Sequence, residues 1–349
     1  MWHDRRVLVT GNTGFKGSWL CLVLNHLGAK VTGFSLSPPT DPSLFVQAGI
    51  ADLVPTVIGD VRDAEHVRQA MADAEPEIVF HLAAQPLVRY SYQEPIETYA
   101  TNVMGTVHVL DAARHVPSVR AIVAVTSDKC YENREWVWPY RESDPMGGHD
   151  PYSSSKGAAE LVVSAYRRSY FSGPGAPLVA SVRAGNVIGG GDWAVDRLIP
   201  DMVRAFEAGR SPVIRSPASV RPWQHVLEAL TGYLRIAERL FDGDAHVATG
   251  WNFGPSEDDA KTVAWIVDRI ATLWGVSSEW RDWQGDVPHE AGLLRLDCSK
   301  VRAELGWRPT FTIDEALERI VQWHKAVQLG EDARTVTLNQ IQEFLRRQS

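Results

Sequence analysis

The chain has 349 residues, 44% of them hydrophobic, so it is long enough for one large or two unequal domains around a packed core. Its formal net charge of −8 argues against a nucleic-acid-binding protein, which normally presents clustered lysine and arginine side chains. The three cysteines are widely spaced, without the pairings typical of disulfide frameworks or zinc sites, and we expect no metal. The first apolar segment is too short for a signal peptide or a membrane span, which predicts a cytoplasmic protein.

Short apolar runs alternate with helix-period segments through the first half of the chain. The apolar runs predict buried strands at residues 7–10, 31–35, 54–58, 77–82, 121–127 and 178–183. The segments between them predict helices, among them residues 16–27, 63–72, 98–115 and 152–170. Because such alternation produces parallel strands with right-handed crossovers, the predicted fold class is α/β, a doubly wound parallel sheet of the Rossmann type.

The regular alternation ends after about residue 185, where glycines and prolines interrupt the chain. We expect this half to form a smaller, discontinuous C-terminal substrate domain. A late apolar run at residues 248–253 is suited to return to the sheet, so the two domains are predicted to be interleaved. We predict that residues 1–185, with a returning segment at about 226–255, form the dinucleotide-binding domain. Residues 186–225 and 256–349 are predicted to form the substrate-binding domain.

A glycine-rich loop directly follows the first predicted strand and opens the first predicted helix. Gly11 permits the tight turn, Gly14 lets the backbone approach a pyrophosphate, and Gly17 allows close helix packing. The helix N-terminus offers unpaired N–H groups to the anion. The alternative is a glycine turn without a ligand. The placement favours a dinucleotide site formed by Gly11, Asn12, Thr13, Gly14, Phe15, Lys16 and Gly17.

A second group of residues has the character of a catalytic site. Tyr152 and Lys156 lie four residues apart, on one face of a predicted helix. A phenol with a pKa of about 10 must lose about three units to act as a base near neutral pH, and we expect Lys156 and an oxidised nicotinamide to lower it. Ser127, Asp128 and Lys129 end the fifth predicted strand, where a doubly wound sheet binds its ligands. The alternatives without a catalytic role are a surface tyrosine and lysine on an amphipathic helix, and a solvated ion pair between Asp128 and Lys129.

These motifs resemble the extended short-chain dehydrogenase/reductase family, in its sugar-nucleotide dehydratase and epimerase branch. The glycine spacing of the loop and the set of Ser127, Tyr152 and Lys156 are similar to that family. The Ser-Asp-Lys sequence at 127–129 resembles the CDP-glucose 4,6-dehydratases within it, where related dehydratases carry Asp-Glu after the serine or threonine. The resemblance covers residues 7 to about 310, with further similar segments at 38–40, 85–89, 101–106, 146–152, 183–193, 196–200, 220–226 and 305–307.

The resemblance implies which residues bind cofactor and substrate. NAD is the expected cofactor, although the carboxylate that usually follows the second strand is missing, so the sequence does not exclude NADP. Besides the glycine loop, the implied cofactor contacts are Asp60, Val61, Leu82, Ala83, Ala84, Gln85, Thr101, Tyr152 and Lys156. The implied contacts with a nucleotide-sugar substrate are Gln85, Ser127, Asn186, Arg197, Leu198 and Arg221.

The resemblance also implies a reaction, that of a hydro-lyase. Tyr152 would take the O4 proton as C4 is oxidised. Water would then leave across C5 and C6, with Asp128 as general acid and Lys129 as base or electrostatic partner. The implied product, CDP-4-keto-6-deoxyglucose, leads to deoxysugars of bacterial surfaces such as lipopolysaccharide. The alternatives are a 4-epimerase, a dehydratase for another nucleotide-hexose and a non-catalytic dinucleotide sensor. A homodimer or higher homo-oligomer is implied, with no membrane or nucleic-acid partner.

Overall fold

The computed structural model describes residues 1–285 and 292–348. The strands within these residues are β1 (Arg6–Thr10), β2 (Lys30–Ser35), β3 (Thr56–Ile58), β4 (Ile78–His81), β5 (Ala121–Val125), β6 (Leu178–Ala184), β7 (Val187–Ile188), β8 (Val213–Ile214), β9 (Val220–Arg221), β10 (Gln224–His225), β11 (Gly250–Phe253), β12 (Lys261–Thr262) and β13 (Arg281–Asp282). The helices are α1 (Phe15–His26), α2 (Leu44–Gln47), α3 (Ala64–Ala74), α4 (Val88–Gln93), α5 (Pro95–Tyr99), α6 (Gly105–Ala113), α7 (Pro151–Ser169), α8 (Leu198–Glu207), α9 (Val226–Phe241), α10 (Val263–Trp274), α11 (Ser299–Leu305), α12 (Ile313–Gln328) and α13 (Ala333–Gln348).

Among the described residues, a sheet of seven parallel strands runs in the order β11-β6-β5-β4-β1-β2-β3. β1 pairs with β2 on one side and with β4 on the other, so the strand order reverses at β1. In open α/β sheets this reversal, at the carboxyl ends of the strands, is where ligands bind. The predicted doubly wound fold is confirmed, and the late strand is present as β11, which pairs in parallel with β6.

Helices cover both faces of the sheet, which explains why its central strands are apolar throughout. All five residues of β5 are buried, as expected for a parallel strand without a solvent face. One buried cluster packs α1 and α9 against one face, and a second packs α3 and α6 against the other. Burial of each valine or isoleucine in these strands stabilises the fold by about 1.5–3 kcal/mol relative to an exposed side chain.

The smaller part of the chain has its own buried cluster, contributed mainly by α8, α10 and α12. Two-residue strand pairs tie its loops together, namely β7 with β10, β9 with β12 and β8 with β13. The glycines that interrupt the chain here serve close packing: a Cβ on Gly190 would come within 2.2 Å of the Trp323 ring. None of the described helices is both long enough and apolar enough to span a membrane.

Two elements differ locally from the sequence prediction. The helix predicted at residues 98–115 is α5 and α6 joined by one turn of π-helix, Ala100–Met104, an irregularity frequent at functional sites. The fifth strand ends at Val125 rather than at residue 127, because Ser127 caps a short 3₁₀ turn, Asp128–Cys130. This turn places two of the predicted catalytic residues, Asp128 and Lys129, beyond the carboxyl end of β5.

Candidate active site

The glycine loop is shaped as the sequence predicts. Gly11 has a φ of +75°, and a Cβ there would lie 2.7 Å from the backbone nitrogen of Ala83. A Cβ on Gly17 would lie 2.1 Å from the carbonyl oxygen of Gly11. Gly14 is the N-cap of α1 and has no side chain to bind the N–H groups of the first helical turn. The loop can therefore present these groups, those of Phe15 and Lys16 included, to an anion.

Asn12 and Thr13 face the protein interior with their side chains. Asn12 Nδ2 donates to Thr56 Oγ1 at 2.8 Å, and the Thr13 hydroxyl lies 2.8 Å from Ser35 Oγ. Both side chains therefore brace the loop against the neighbouring strands, which leaves their backbone as the part free to meet a cofactor. Gly33 makes this arrangement possible, since a Cβ there would lie 2.2 Å from the Asn12 amide.

Asp60 and Val61 follow β3 at the same edge of the sheet. The Asp60 carboxylate accepts from Arg62 Nε at 2.8 Å and from Arg62 Nη2 at 2.6 Å, and these hydrogen bonds hold the pKa of the carboxyl below its ordinary value. Val61 is buried, and a Cβ on Gly105 would come within 2.8 Å of its side chain. The cofactor contact implied for Asp60 stays a prediction; in this structure the Asp60 carboxylate is hydrogen-bonded to Arg62.

The segment after β4, containing Leu82, Ala83 and Ala84 and ending in Gln85, is fixed to α7 through Asn102. The Gln85 backbone N–H donates to Asn102 Oδ1 at 2.8 Å, and Asn102 Nδ2 donates to Ser155 Oγ at 2.8 Å. Gln85 Nε2 donates to Thr98 Oγ1 at 2.8 Å. Asn102 lies in the π-helical turn beside Thr101, so this turn, rather than a regular helix, links the cofactor segment to α7.

Ser127, Asp128 and Tyr152 come together above the end of β5. Ser127 Oγ donates to Asp128 Oδ1 at 3.0 Å and accepts from the Lys129 backbone N–H at 3.2 Å. The Ser127 hydroxyl is also a side-chain hydrogen-bond partner of the Tyr152 phenol. Asp150 caps α7 and the Tyr152 N–H donates to Ser91 Oγ, so the start of this helix is held in place. Lys156, one turn on, has its Nζ 6.0 Å from the Tyr152 ring centroid.

Burial governs the electrostatics of this group. It raises the pKa of Tyr152 to about 12, although the Ser127 hydrogen bond opposes the shift. Burial, helped by the nearby Lys16 cation, lowers the pKa of Lys156 to about 7. Burial also raises the pKa of the Asp128 carboxyl, against the opposing charge of Lys129. The lowered Tyr152 pKa expected from the sequence includes the charge of an oxidised nicotinamide and stays a prediction; in the protein alone, desolvation outweighs the favourable interactions of the phenolate.

Two of the predicted substrate residues, Arg197 and Arg221, act electrostatically on this group from the other half of the chain. Arg197 forms a 3.0 Å ion pair with Asp192, and its charge acts on Tyr152; Leu198 follows it as the first residue of α8. Arg221 is buried and donates from Nη1 to the carbonyl oxygens of Val220 and Gly292, while its charge acts on Asp128. Asn186 has a φ of +25°, a strained conformation of the kind found at ligand sites.

Two further groups beside Asp128 were not predicted for this place. The Lys16 side chain extends from the glycine loop toward α9, where its Nζ lies 5.9 Å from the Tyr233 ring centroid. Burial lowers the pKa of Lys16 to about 8, and Asp128 opposes that shift. The Tyr233 hydroxyl is buried and has no hydrogen-bond partner among the described residues. In the sequence, Tyr233 occupies an ordinary position on the apolar face of a helix. Nothing in the sequence therefore indicated that it lies near the site.

Beneath the site, a buried ion pair joins α7 to the sheet. Glu160 lies one turn after Lys156 and accepts from Arg183 Nε at 2.9 Å and Nη2 at 2.7 Å. Burial alone would raise the pKa of Glu160, but the Arg183 charge together with the hydrogen bonds to this carboxylate holds that pKa below its ordinary value. Glu160 also accepts from Thr126 and Ser181. The ion pair therefore fixes the position of α7 relative to the end of β5, after which Ser127 follows.

Substitution of Arg183 by methionine is expected to lower the free energy of unfolding by about 3–5 kcal/mol, because it leaves the Glu160 carboxylate buried without its partner. The midpoint and slope of urea unfolding measure this change. The matched control is the double variant Arg183→Met with Glu160→Gln, which removes both charges and should recover most of the loss. A loss below about 1 kcal/mol in the single variant would show that the pair is not a stabilising contact of this size.

Known proteins resemble this chain over nearly its whole length. A family model described as GDP-mannose 4,6-dehydratase matches residues 8–320. A CDP-glucose 4,6-dehydratase of Salmonella typhimurium is 56% identical, covering 99% of this chain and 97% of that protein. A dTDP-glucose 4,6-dehydratase of Streptomyces antibioticus is 30% identical, covering 91% of this chain and 92% of that protein.

Solved structures agree with these relatives. The dTDP-glucose 4,6-dehydratase of Streptomyces venezuelae, solved with NAD and TYD bound, is 26% identical with a TM-score of 0.79, covering 94% of this chain and 99% of that one. A UDP-glucose 4-epimerase of Thermotoga maritima, at 21% identity and a TM-score of 0.80, shares the fold and covers 92% of this chain and 99% of that one. The resemblance to the sugar-nucleotide branch is confirmed, and the chain belongs to the GDP-mannose 4,6-dehydratase family.

Proposed function

We propose that the protein is an NAD-dependent hydro-lyase that converts CDP-glucose to CDP-4-keto-6-deoxyglucose and water. The observation that carries the proposal is the buried carboxyl of Asp128, hydrogen-bonded to Ser127 beside Tyr152. Oxidation at C4 needs only the serine, tyrosine and lysine, whereas loss of the C6 hydroxyl needs an additional acid. The cytidine nucleotide is supported by the relative that is 56% identical, a CDP-glucose 4,6-dehydratase.

NAD fits the glycine loop by its shape. Gly11 and Gly17 leave no room for side chains where the loop turns into α1, and the first turn of that helix can bind a pyrophosphate. When bound, NAD supplies the acceptor that takes hydride from C4 and returns it at C6. The Streptomyces venezuelae dehydratase was solved with NAD, which supports the same cofactor here.

The chain's own residues would carry out the proton transfers of the reaction. Tyr152 and Ser127 hold the O4 hydroxyl and take its proton. Asp128, whose raised pKa favours its protonated form, donates a proton to the departing C6 hydroxyl. Lys129 lies beside it, as base for the C5 proton or as a charge that stabilises the anion formed there. Lys156 positions the site from one turn below Tyr152.

The second half of the chain is proposed to hold the nucleotide sugar. Arg221 has a guanidinium that can bind diphosphate oxygens in bidentate fashion, and Asn186 and Gln85 are proposed to contact the same substrate. Arg197 and Leu198 are proposed to lie beside the base. The predicted domain boundaries are part of this proposal; residues 286–291 and 349 of the substrate segment lie outside the described residues.

The test is incubation of the protein and NAD with CDP-glucose, dTDP-glucose, UDP-glucose and GDP-mannose. We expect loss of one water from CDP-glucose by mass spectrometry, with no net growth of NADH absorbance over complete turnovers. A product of unchanged mass would identify an epimerase, and water loss from another substrate alone would reassign the nucleotide. NADH accumulating in step with product would indicate an ordinary dehydrogenase, and cofactor binding without any product a sensor.

A homodimer is proposed with this function. Apolar side chains are exposed on α5, on the π-helical turn after it and on α7, namely Ile96, Met104 and Leu161. Exposed apolar surface of this kind is typical of association sites. Light scattering at micromolar concentration tests the proposal, and the mass of a single chain would contradict it.

A further inference from the structure

Residues 131–140 form an extension that directly follows the turn Asp128–Cys130 and takes no part in the proposed chemistry. Three of its aromatic rings stack. The Tyr140 ring lies 5.3 Å from the Tyr131 ring and 5.5 Å from the Trp136 ring, at interplanar angles of 17° and 27°. Tyr131 and Tyr140 are buried. The stack therefore gives the extension a fixed base, from which its exposed residues project.

Residues 292–297 run alongside this extension and are tied to it by hydrogen bonds. The Tyr140 N–H donates to the Arg295 carbonyl oxygen at 2.9 Å. Asn133 Nδ2 donates to the Leu293 carbonyl oxygen at 3.3 Å, while Asn133 Oδ1 accepts from the Tyr140 hydroxyl at 3.0 Å. The position of residues 292–297 therefore depends on that of the extension.

Gly292, at the start of this second segment, links Glu135 to Arg221. Its N–H donates to Glu135 Oε1 at 2.7 Å, and its carbonyl oxygen accepts from Arg221 Nη1 at 3.1 Å. Arg221 Nη1 also donates to the Val220 carbonyl oxygen at 3.2 Å. Neither bond uses Nε or Nη2, so one edge of the guanidinium is fixed while these other nitrogens can meet a diphosphate.

Arg221 also lies close to the proposed acid of the reaction. A Cβ on Gly185 would come within 2.2 Å of Asp128 Oδ2 and within 2.8 Å of the Pro222 side chain, so Asp128 and the residue after Arg221 meet across Gly185. The charge of Arg221 acts on Asp128. A substrate that reaches Asp128 with C6 and Arg221 with its diphosphate must span a fixed distance, and a misplaced guanidinium would weaken its binding.

We propose that Glu135 is a positioning residue for the diphosphate of the nucleotide sugar, acting through Gly292 on Arg221. The Glu135 carboxylate holds the Gly292 N–H, and the Gly292 carbonyl oxygen in turn holds one edge of the Arg221 guanidinium. A guanidinium that is already oriented loses less conformational entropy when it binds a diphosphate in bidentate fashion. The inference rests on the proposed function, in which Arg221 binds the diphosphate.

Two alternative roles of Glu135 predict different results. If its negative charge acted directly on the diphosphate, the two would repel each other, and removal of the charge should tighten binding. If the carboxylate were only a structural contact, its loss should weaken binding equally whether or not Arg221 is present. Glu135→Gln separates charge from hydrogen bonding, because its side-chain oxygen can still accept from the Gly292 N–H.

Calorimetric titration of the NAD-loaded protein with CDP tests the proposal. We expect Glu135→Ala to bind CDP about 10-fold more weakly than the wild type, and Glu135→Gln to bind it within about 2-fold of the wild type. The effect of Glu135→Ala should disappear in the Arg221→Ala background, since Glu135 acts through that residue. With CDP-glucose, the KM of Glu135→Ala should rise about 10-fold, with kcat within about 2-fold of the wild-type value.

Glu132→Ala is the matched control, because it removes the same charge from the same extension, where the Glu132 backbone N–H is bonded to the Pro145 carbonyl oxygen. This variant should bind CDP as the wild type does. Unchanged binding in Glu135→Ala, an equal loss in the Arg221→Ala background, or tighter binding in both Glu135 variants would overturn the proposal, while water loss from CDP-glucose would still support the dehydratase function. If the wild type neither bound CDP nor removed water from CDP-glucose, the proposed function would fail, and the role of Glu135 with it.

Discussion

Substitution of Tyr152 by phenylalanine is expected to lower turnover by at least about 100-fold, while nucleotide-sugar binding largely survives. The variant removes the hydroxyl that meets O4 and the contact with Ser127, but it keeps a ring in the buried position at the start of α7. Turnover is measured under saturating CDP-glucose, and binding by calorimetry with the product analogue CDP.

The matched control is Tyr166→Phe, because Tyr166 lies on the same helix but packs against Tyr170 and Phe171 at its far end. That variant should keep the wild-type rate. If Tyr152→Phe retained more than about a tenth of wild-type turnover, Tyr152 would not be the group that accepts the O4 proton.

The sequence was sufficient to predict the sheet and the end of it at which the proposed catalytic residues lie. Buried parallel strands are apolar throughout, so β1, β4 and β5 were visible as short apolar runs. Because parallel strands share one carboxyl edge, Gly11, Gln85 and Ser127 had to lie near one another once the fold class was known. The four-residue spacing of Tyr152 and Lys156 then placed them on one face of α7.

Contacts between distant segments could not be predicted in the same way. Lys16 lies beside Tyr233 only because α9 packs against the face of the sheet that also receives α1. The raised pKa of Tyr152 in the protein alone could not be predicted for a related reason. A sequence shows which charges lie nearby along a helix, but the cost of burying a phenolate depends on how completely the rest of the chain excludes water. Here that cost decides the outcome.

The carboxyl at the end of β5 is the residue that separates a dehydratase from an epimerase in the proposed function. Burial raises the pKa of Asp128, which favours the protonated acid that the departing C6 hydroxyl requires. The charge of its neighbour Lys129 acts on Asp128, so the protonation of one residue bears on that of the other.

Substitution of Lys129 by methionine is expected to let C4 oxidation proceed but to stop the reaction before water is lost. Lys129 can remove the C5 proton only in its neutral form, since an ammonium has no lone pair to accept it. Neutral Lys129 beside neutral Asp128 contains as many protons as the ion pair, and the raised pKa of Asp128 favours the protonated form of its carboxyl. Enzyme-bound NADH should therefore appear transiently in stopped-flow absorbance, and the C5 hydrogen should no longer exchange with deuterated water.

Lys129→Arg is the variant that separates a base from an electrostatic partner. A guanidinium preserves the positive charge but does not lose its proton in proteins, so it cannot serve as the C5 base. If Lys129 is the base, both variants should lose C5 exchange, whereas an electrostatic role predicts that Lys129→Arg keeps most of it. Exchange at the wild-type rate in Lys129→Met would contradict the base assignment, and the role of Lys129 would then be to bind the substrate or to support the charge of Asp128.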